Sequence, residues 1–149
     1  MPFTDTYANQ ILNYTMAKTA QLEAPSAVYL GLCTNDPEVS GGSVAELSGG
    51  GYHRVMISQK NQSYPDVIGT ASADSRMIQN TKQINWTKAT ADWPEAKGFF
   101  LSSSSTVGET AKIFFYGKLE EPVTCEMGAV ALFDPYALKI SFPETDVSA

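Results

Sequence analysis

The stretch Leu47-Ser-Gly-Gly-Gly-Tyr-His-Arg-Val-Met-Ile-Ser58 places three consecutive glycines directly before a run that can extend as a strand. Loops that cradle phosphates have their glycines after a strand and before a helix, and the nucleotide-binding form closes with Lys-Ser or Lys-Thr. Here Tyr52-His-Arg-Val55 follows the glycines instead. The stretch therefore predicts a flexible turn that leads into a core strand over residues 52–58, and it argues against nucleotide binding.

On both sides of this stretch the chain has the pattern of a β protein, with seven or eight short strand-like runs separated by turn residues. The runs lie at residues 27–34, 52–58, 77–86, 98–101, 111–118, 122–126, 128–133 and 136–142. Residues 38–50 and 59–76 are expected to be surface loops. Because helices do not alternate with the strands, a parallel α/β sheet is excluded. We predict a mainly β fold, a single antiparallel β-sandwich of jelly-roll or immunoglobulin-like type, with a partly open barrel as the alternative.

One α-helix is expected near the N-terminus, over about residues 4–18. Thr4 or Asp5 can cap its start, because a short side-chain oxygen accepts an otherwise unpaired backbone N–H. Three residues give the helix an apolar face: Tyr7, Ile11 and Leu12. We expect the helix to pack on one end of the domain or to reach a neighbouring subunit.

Length and charge restrict the possible functions. The 149 residues suit one domain, residues 1–149, with a loose acidic tail at about residues 143–149. The net charge of −6 would repel nucleic acid and an anionic membrane surface, although it suits docking on a basic patch of another protein. No apolar stretch approaches the roughly 18 residues that span a bilayer, and no signal peptide is visible.

Few residues suggest catalysis. His53 is the only histidine and could act as a general base, but a lone histidine rarely binds zinc, so we interpret it as an exposed or hydrogen-bonded strand residue. The serines at 102–105 lack the Gly-x-Ser-x-Gly pattern of a nucleophile and predict a turn. Cys33 and Cys125 lie in or beside apolar runs and are expected to be buried hydrophobes, although they could pair.

Paired acids and aromatics leave two further options open. Carboxylate pairs that could serve glycoside hydrolysis occur at Asp92 with Glu95, Glu120 with Glu121, and Asp36 with Glu38. We interpret adjacent acids such as Glu120 and Glu121 as a solvated turn, and no calcium-loop pattern accompanies these pairs. Trp86 and Trp93 could form a platform for sugar rings, together with Tyr52 and Tyr64, but core or interface anchors are the favoured interpretation. No catalytic, cofactor-binding or metal site is therefore predicted.

An ordered set of segments resembles a family of small tailed-bacteriophage virion proteins, described as tail-fibre-like, minor structural or head decoration proteins. The segments are Ala24-Pro-Ser-Ala-Val-Tyr-Leu-Gly-Leu-Cys-Thr-Asn-Asp-Pro37, Leu47-Ser-Gly-Gly-Gly-Tyr-His-Arg-Val55, Ile84-Asn-Trp-Thr-Lys-Ala-Thr-Ala-Asp-Trp93, Phe114-Phe-Tyr-Gly-Lys-Leu-Glu-Glu-Pro-Val123 and Ala129-Val-Ala-Leu-Phe133. The resemblance spans most of the chain and offers no catalytic residues.

The resemblance implies a non-enzymatic structural protein of the virion, made in the host cytoplasm. Together with the acidic, β-rich composition it favours a capsid decoration or cement protein that stabilises the assembled head. The alternative is a tail-fibre or tail accessory protein that contacts host-surface glycans through exposed aromatic side chains. The implied partners are the major capsid protein or tail and neck proteins, and a homo-oligomer such as a trimer is expected.

Overall fold

The computed structural model describes residues 3–18, 25–60, 67–69 and 77–141. Within these ranges the chain forms one helix and eight strands. They are α1 (Asp5–Thr15), β1 (Ala27–Cys33), β2 (Val55–Gln59), β3 (Met77–Gln79), β4 (Ile84–Asn85), β5 (Ala96–Ser102), β6 (Ile113–Val123), β7 (Leu132–Phe133) and β8 (Lys139–Ser141). The predicted tail at residues 143–149 lies outside the described residues.

Three antiparallel sheets make up the fold. The largest has four strands in the order β2-β1-β5-β6, and two small sheets pair β3 with β8 and β4 with β7. The prediction of a mainly β, antiparallel protein with one N-terminal helix is confirmed. The more detailed prediction of a jelly-roll or immunoglobulin-like sandwich stays a prediction.

The four-stranded sheet buries side chains on both faces. Along β1, Leu30 and Leu32 point into the larger hydrophobic cluster, whereas Cys33 belongs to a second cluster with Phe100 of β5. This division follows from the two-residue period of a strand. Opposite Phe100 the chain has Gly31, where a side chain would overlap the Phe100 ring. The centre of the sheet is thus packed on both sides.

Several predicted strand boundaries are corrected. β2 begins at Val55 rather than at residue 52. The run 77–86 divides into β3 and β4, since buried Asn80 turns the chain there: its Nδ2 donates to the carbonyls of Lys82 and Asp134. Residues 122–126 form no separate strand, because β6 continues to Val123 after irregular pairing with β5.

The C-terminal strand predictions are also too long. The run 128–133 was expected to be buried, yet only Leu132–Phe133 is a strand, and both Val130 and Leu132 are exposed. In the run 136–142 the strand covers Lys139–Ser141, preceded by a turn with Tyr136 at φ 66°. Of the loop expected at 59–76, residues 61–66 and 70–76 lie outside the described part of the chain.

Thr4 caps the start of helix α1, in agreement with the sequence prediction. The Thr4 hydroxyl accepts the N–H of Tyr7 at 3.4 Å and donates to the carbonyl of Ile113 at 2.6 Å. At the other end the N–H of Lys18 reaches the carbonyl of Asn13 at 2.7 Å, and Ala17 adopts a left-handed φ of 57°. These bonds are those of a Schellman cap, so the helix ends at Thr15 rather than at residue 18.

The backbone is left-handed at all three glycines of the opening stretch, a conformation that favours glycine. Gly49, Gly50 and Gly51 have φ values of 78°, 60° and 79°. The carbonyl of Gly50 accepts the indole N–H of Trp93 at 2.8 Å and the backbone N–H of Thr90 at 2.9 Å. The turn is therefore bound to the segment that precedes β5, and it leads towards β2 as predicted.

Two alanine substitutions separate backbone strain from steric contact in this turn. At Gly49 an added Cβ meets no atom within 4 Å, so Gly49→Ala should cost only about 1–2 kcal/mol of unfolding free energy, from the left-handed φ. At Gly50 the Cβ would lie 2.8 Å from Trp93 Cδ1 and 3.0 Å from the Ala91 carbonyl oxygen. Gly50→Ala should cost at least about 1 kcal/mol more. Urea denaturation followed by tryptophan fluorescence measures both, and equal losses would contradict the packing of Gly50 on Trp93.

Candidate functional site

Arg54 forms the densest polar cluster that the structure describes. It lies just before β2, and its side chain is fully buried against that of Glu46, which is 4% exposed. Nε donates to Glu46 Oε1 and Nη2 donates to Oε2, each at 2.8 Å. Parallel bonds of this kind fix both the distance and the plane of the two groups.

The remaining donors of the guanidinium bind the loop that follows β5. Nη1 donates to Ser102 Oγ at 3.2 Å and to the Ser104 carbonyl at 2.8 Å, and Nη2 donates to the Glu109 carbonyl at 2.6 Å. The guanidinium carbon also lies 4.9 Å from the centroid of the Phe100 ring. Arg54 therefore joins β2 to β5 and to the loop after β5.

Glu46 is satisfied just as fully. Its Oε1 also accepts the Tyr52 hydroxyl at 2.9 Å, and its Oε2 accepts the backbone N–H of Gly108 at 2.6 Å. The Tyr52 oxygen in turn accepts the N–H of Leu32 in β1 at 2.9 Å. Burial raises the pKa of Tyr52, so its hydroxyl stays a neutral donor. The cluster is closed on itself and offers no free polar group to a substrate.

The serines and the histidine have structural partners rather than catalytic ones. Ser102 Oγ accepts from Arg54 and from the N–H of Ser104, and Ser104 Oγ donates to Glu109 Oε2 at 2.7 Å. His53 Nδ1 lies 3.0 Å from the Arg54 carbonyl, which can only accept, and Nε2 lies 3.0 Å from Thr87 Oγ1. The interpretation of His53 as a hydrogen-bonded residue is confirmed, although it precedes the strand.

The predicted carboxylate pairs lie at the surface. Asp36 Oδ1 accepts the N–H of Glu38 at 3.0 Å, and Asp92 Oδ1 accepts the N–H of Met127 at 2.7 Å. Glu95, Glu120 and Glu121 are exposed, but Glu120 and Glu121 lie in β6, so the predicted turn at these two residues is wrong. Within the described ranges, no three His, Cys, Asp or Glu side chains come together to hold a metal ion.

The structure buries the aromatic side chains proposed for glycan contact. Tyr52, Trp86 and Trp93 are 7%, 2% and 6% exposed. The Trp86 indole N–H donates to the His53 carbonyl at 2.8 Å, and the Trp93 ring meets the Tyr52 ring edge-on at 5.5 Å between centroids. Their interpretation as core anchors is confirmed, and a sugar platform built from these three is wrong. Tyr64 lies outside the described residues.

Both cysteines are free and buried, as predicted. Burial raises the pKa of Cys33 to about 12, and the nearby carboxylates of Asp36 and Glu46 act in the same direction. Burial also raises the pKa of Cys125. Because the thiolate is the reactive form, neither residue is suited to nucleophilic chemistry.

Exposed apolar side chains are the surface feature that the sequence analysis missed. One group lies on α1 and just after it: Leu12, Tyr14 and Met16. A second lies in and around β7: Met127, Val130, Leu132 and Tyr136. The helical spacing of the apolar residues is visible in the sequence, where it predicts one face that packs on an end of the domain or reaches a neighbouring subunit. None of the helices described is long and apolar enough to cross a membrane.

Replacement of Arg54 should leave Glu46 as an uncompensated buried charge. We expect Arg54→Met to lower the free energy of unfolding by about 3–5 kcal/mol. The double variant Arg54→Met/Glu46→Leu should lose less, because both charges are gone. Lys112→Met removes an exposed cation and serves as the control, with a change within about 0.5 kcal/mol. Urea titrations of the three variants measure these differences in unfolding free energy. A smaller loss in Arg54→Met than in the double variant would contradict the role of Glu46 as a buried charge that needs Arg54.

Thiol titration tests the cysteines directly. Ellman's reagent at pH 8 should detect no thiol in the native protein, because burial restricts access and keeps both groups protonated. In guanidinium chloride it should detect both. A denatured, unreduced sample that gives no thiol would instead indicate a disulfide.

Comparisons with known proteins identify the class of structure to which these features belong. A search of the curated proteins finds no match to the chain. A family model described as "Podophage GP4 fiber I protein gp80" matches residues 2–141, which is nearly the whole sequence. The chain therefore belongs to this phage fibre family, and it is a structural, non-enzymatic component of the virion.

Proposed function

We propose that the chain is a subunit of a phage tail fibre, where it binds neighbouring tail proteins and further copies of itself through its surface. The family match over residues 2–141 carries this proposal. The interior agrees with it, because the described polar side chains that are buried all have hydrogen-bond partners within the chain. Because these buried groups are already paired within the chain, we infer that the protein acts by binding through its surface.

The family match supports the tail-fibre alternative over the capsid decoration role that the sequence favoured. The error has a physical origin. An acidic, soluble β protein without a reactive site suits both positions in the particle, so composition does not separate them. The fibre assignment rests instead on the family match over residues 2–141.

Contact with host glycans is not part of this proposal. It depended on four aromatic side chains, and three of them are held in the core by hydrogen bonds or ring contacts. Burial on that scale removes the ring faces that a sugar would stack on.

Self-association is part of the proposal, and so is one-domain organisation. Fibres are built by repetition of subunits, and repetition requires the same surface to recur in each copy. The larger hydrophobic cluster contains buried residues of the four-stranded sheet and of the β4–β7 sheet, and Ile140 of the β3–β8 sheet packs against it. This shared core supports a subunit that acts as one domain.

Cryo-electron microscopy of the intact particle tests the position of the subunit. The four-stranded sheet with α1 at its β6 edge should fit density in the tail fibres, and that density should be missing from particles of a phage in which this gene is deleted. Density at capsomer junctions would overturn the fibre proposal and restore decoration. Absence from purified wild-type particles would contradict both roles.

A further inference from the structure

Helix α1 carries a stripe of residues on the side away from the sheet. Asp5, Asn9, Leu12 and Met16 are spaced four, three and four residues apart, which places them on one face of a helix. We call these four residues the outer stripe. All four are exposed, Leu12 by 60% and Met16 by 67%.

The opposite side of the helix is attached to β6. The Tyr7 ring lies 5.1 Å from that of Phe114 and 5.5 Å from that of Phe115, between centroids. The N–H of Thr4 donates to the Phe114 carbonyl at 2.9 Å, and Phe3 forms a bridge with Phe115. The attachment is concentrated in the first turn, and Leu12 and Met16 beyond it stay exposed.

This packing leaves the helix with little stabilisation of its own. None of its 11 residues is buried. An isolated helix shorter than about 12–15 residues is marginal in water, and most helices gain their stability from a packed apolar face. The exposed Leu12 and Met16 are the side chains with which a second surface would supply that packing.

The distribution of charge on the helix favours a second copy of the same chain as the binding partner. Between Asp5 and Lys18 the sequence carries no charged residue, although the whole chain has a net charge of −6. The helix surface is therefore a place where two acidic molecules can meet without opposing carboxylates. In an antiparallel pair, the Asp5 end of one helix lies beside the Lys18 end of the other, and the helix dipoles also oppose each other favourably. A parallel pair would place the two Asp5 carboxylates together.

We propose that the outer stripe is a self-association surface, on which the α1 helices of two copies pair antiparallel about a twofold axis. The axis passes between Asn9 and Leu12, so that Asn9 of one copy faces Leu12 of the other. An interface of this kind is self-complementary, since each copy presents the same four residues. This proposal rests on the fibre role in one respect, which is that assembly of a fibre brings the copies together.

Two methionine variants test whether the stripe is the contact. Met16 and Met127 are exposed to nearly the same extent, 67% and 69%, but Met127 lies in the second apolar group near β7. Sedimentation equilibrium of the full chain should show a dimer whose dissociation constant rises at least about tenfold in Met16→Lys and stays unchanged in Met127→Lys. Circular dichroism checks that both variants remain folded. A monomeric wild-type chain, or a loss of dimer confined to Met127→Lys, would overturn the proposal.

Disulfide trapping tests the orientation. Asn9→Cys and Leu12→Cys are prepared separately, mixed and oxidised under native conditions, in which the buried Cys33 and Cys125 stay unreactive. An antiparallel pair should form mainly the mixed disulfide between the two variants. Predominant bonding of each variant with itself would establish a parallel pair and contradict the proposed geometry, and so would the absence of any disulfide.

These outcomes are independent of the position of the subunit in the particle. A dimer broken by Met16→Lys together with capsomer density would retain the self-association surface and reject the fibre role. Fibre density together with a chain that stays monomeric would retain the fibre role and reject the self-association surface.

Discussion

The buried pair of Arg54 and Glu46 is the constraint on which the rest of the structure depends. Two charges removed from water lose several kcal/mol of hydration each, and only a complete set of short hydrogen bonds offsets that loss. Three parts of the chain supply this set. The Tyr52 hydroxyl links the pair to β1, and Ser102 contributes its hydroxyl from the end of β5. Backbone groups between Ser104 and Glu109 supply the remaining hydrogen bonds. The cluster thereby ties β1, the end of β5 and the loop after β5 to one another.

The glycine turn and the tryptophans complete the same arrangement. Tyr52 binds Glu46 with its hydroxyl and meets Trp93 with its ring, while the Trp93 indole binds the carbonyl of Gly50. The left-handed glycines let the backbone approach the indole without a side chain between them. The polar cluster and the larger hydrophobic cluster thus share Tyr52, so a disturbance of either should be felt in the other.

Local patterns explain which features could be predicted from the sequence. The alternation around Leu30 and Leu32 places β1 correctly, and Thr4 caps α1 because capping depends on adjacent residues alone. The Arg54 cluster could not be foreseen, since it joins residues up to 62 positions apart whose individual types are ordinary. The split of the run 77–86 was missed for a related reason: Asn80 is buried only because Asp134 and Leu138, far along the chain, supply its partners.

The candidate site shows the same limit from the functional side. The sequence identified Trp86 and Trp93 correctly as anchors, because large aromatic rings are most often buried. The sequence predicts a single apolar face on α1, although Tyr7 and Leu12 lie on different sides of the helix. Only the structure shows that the first turn is used for attachment to β6, while Leu12 and Met16 stay outside. With the polar groups of the interior already paired, a surface of this kind is where a fibre subunit can act.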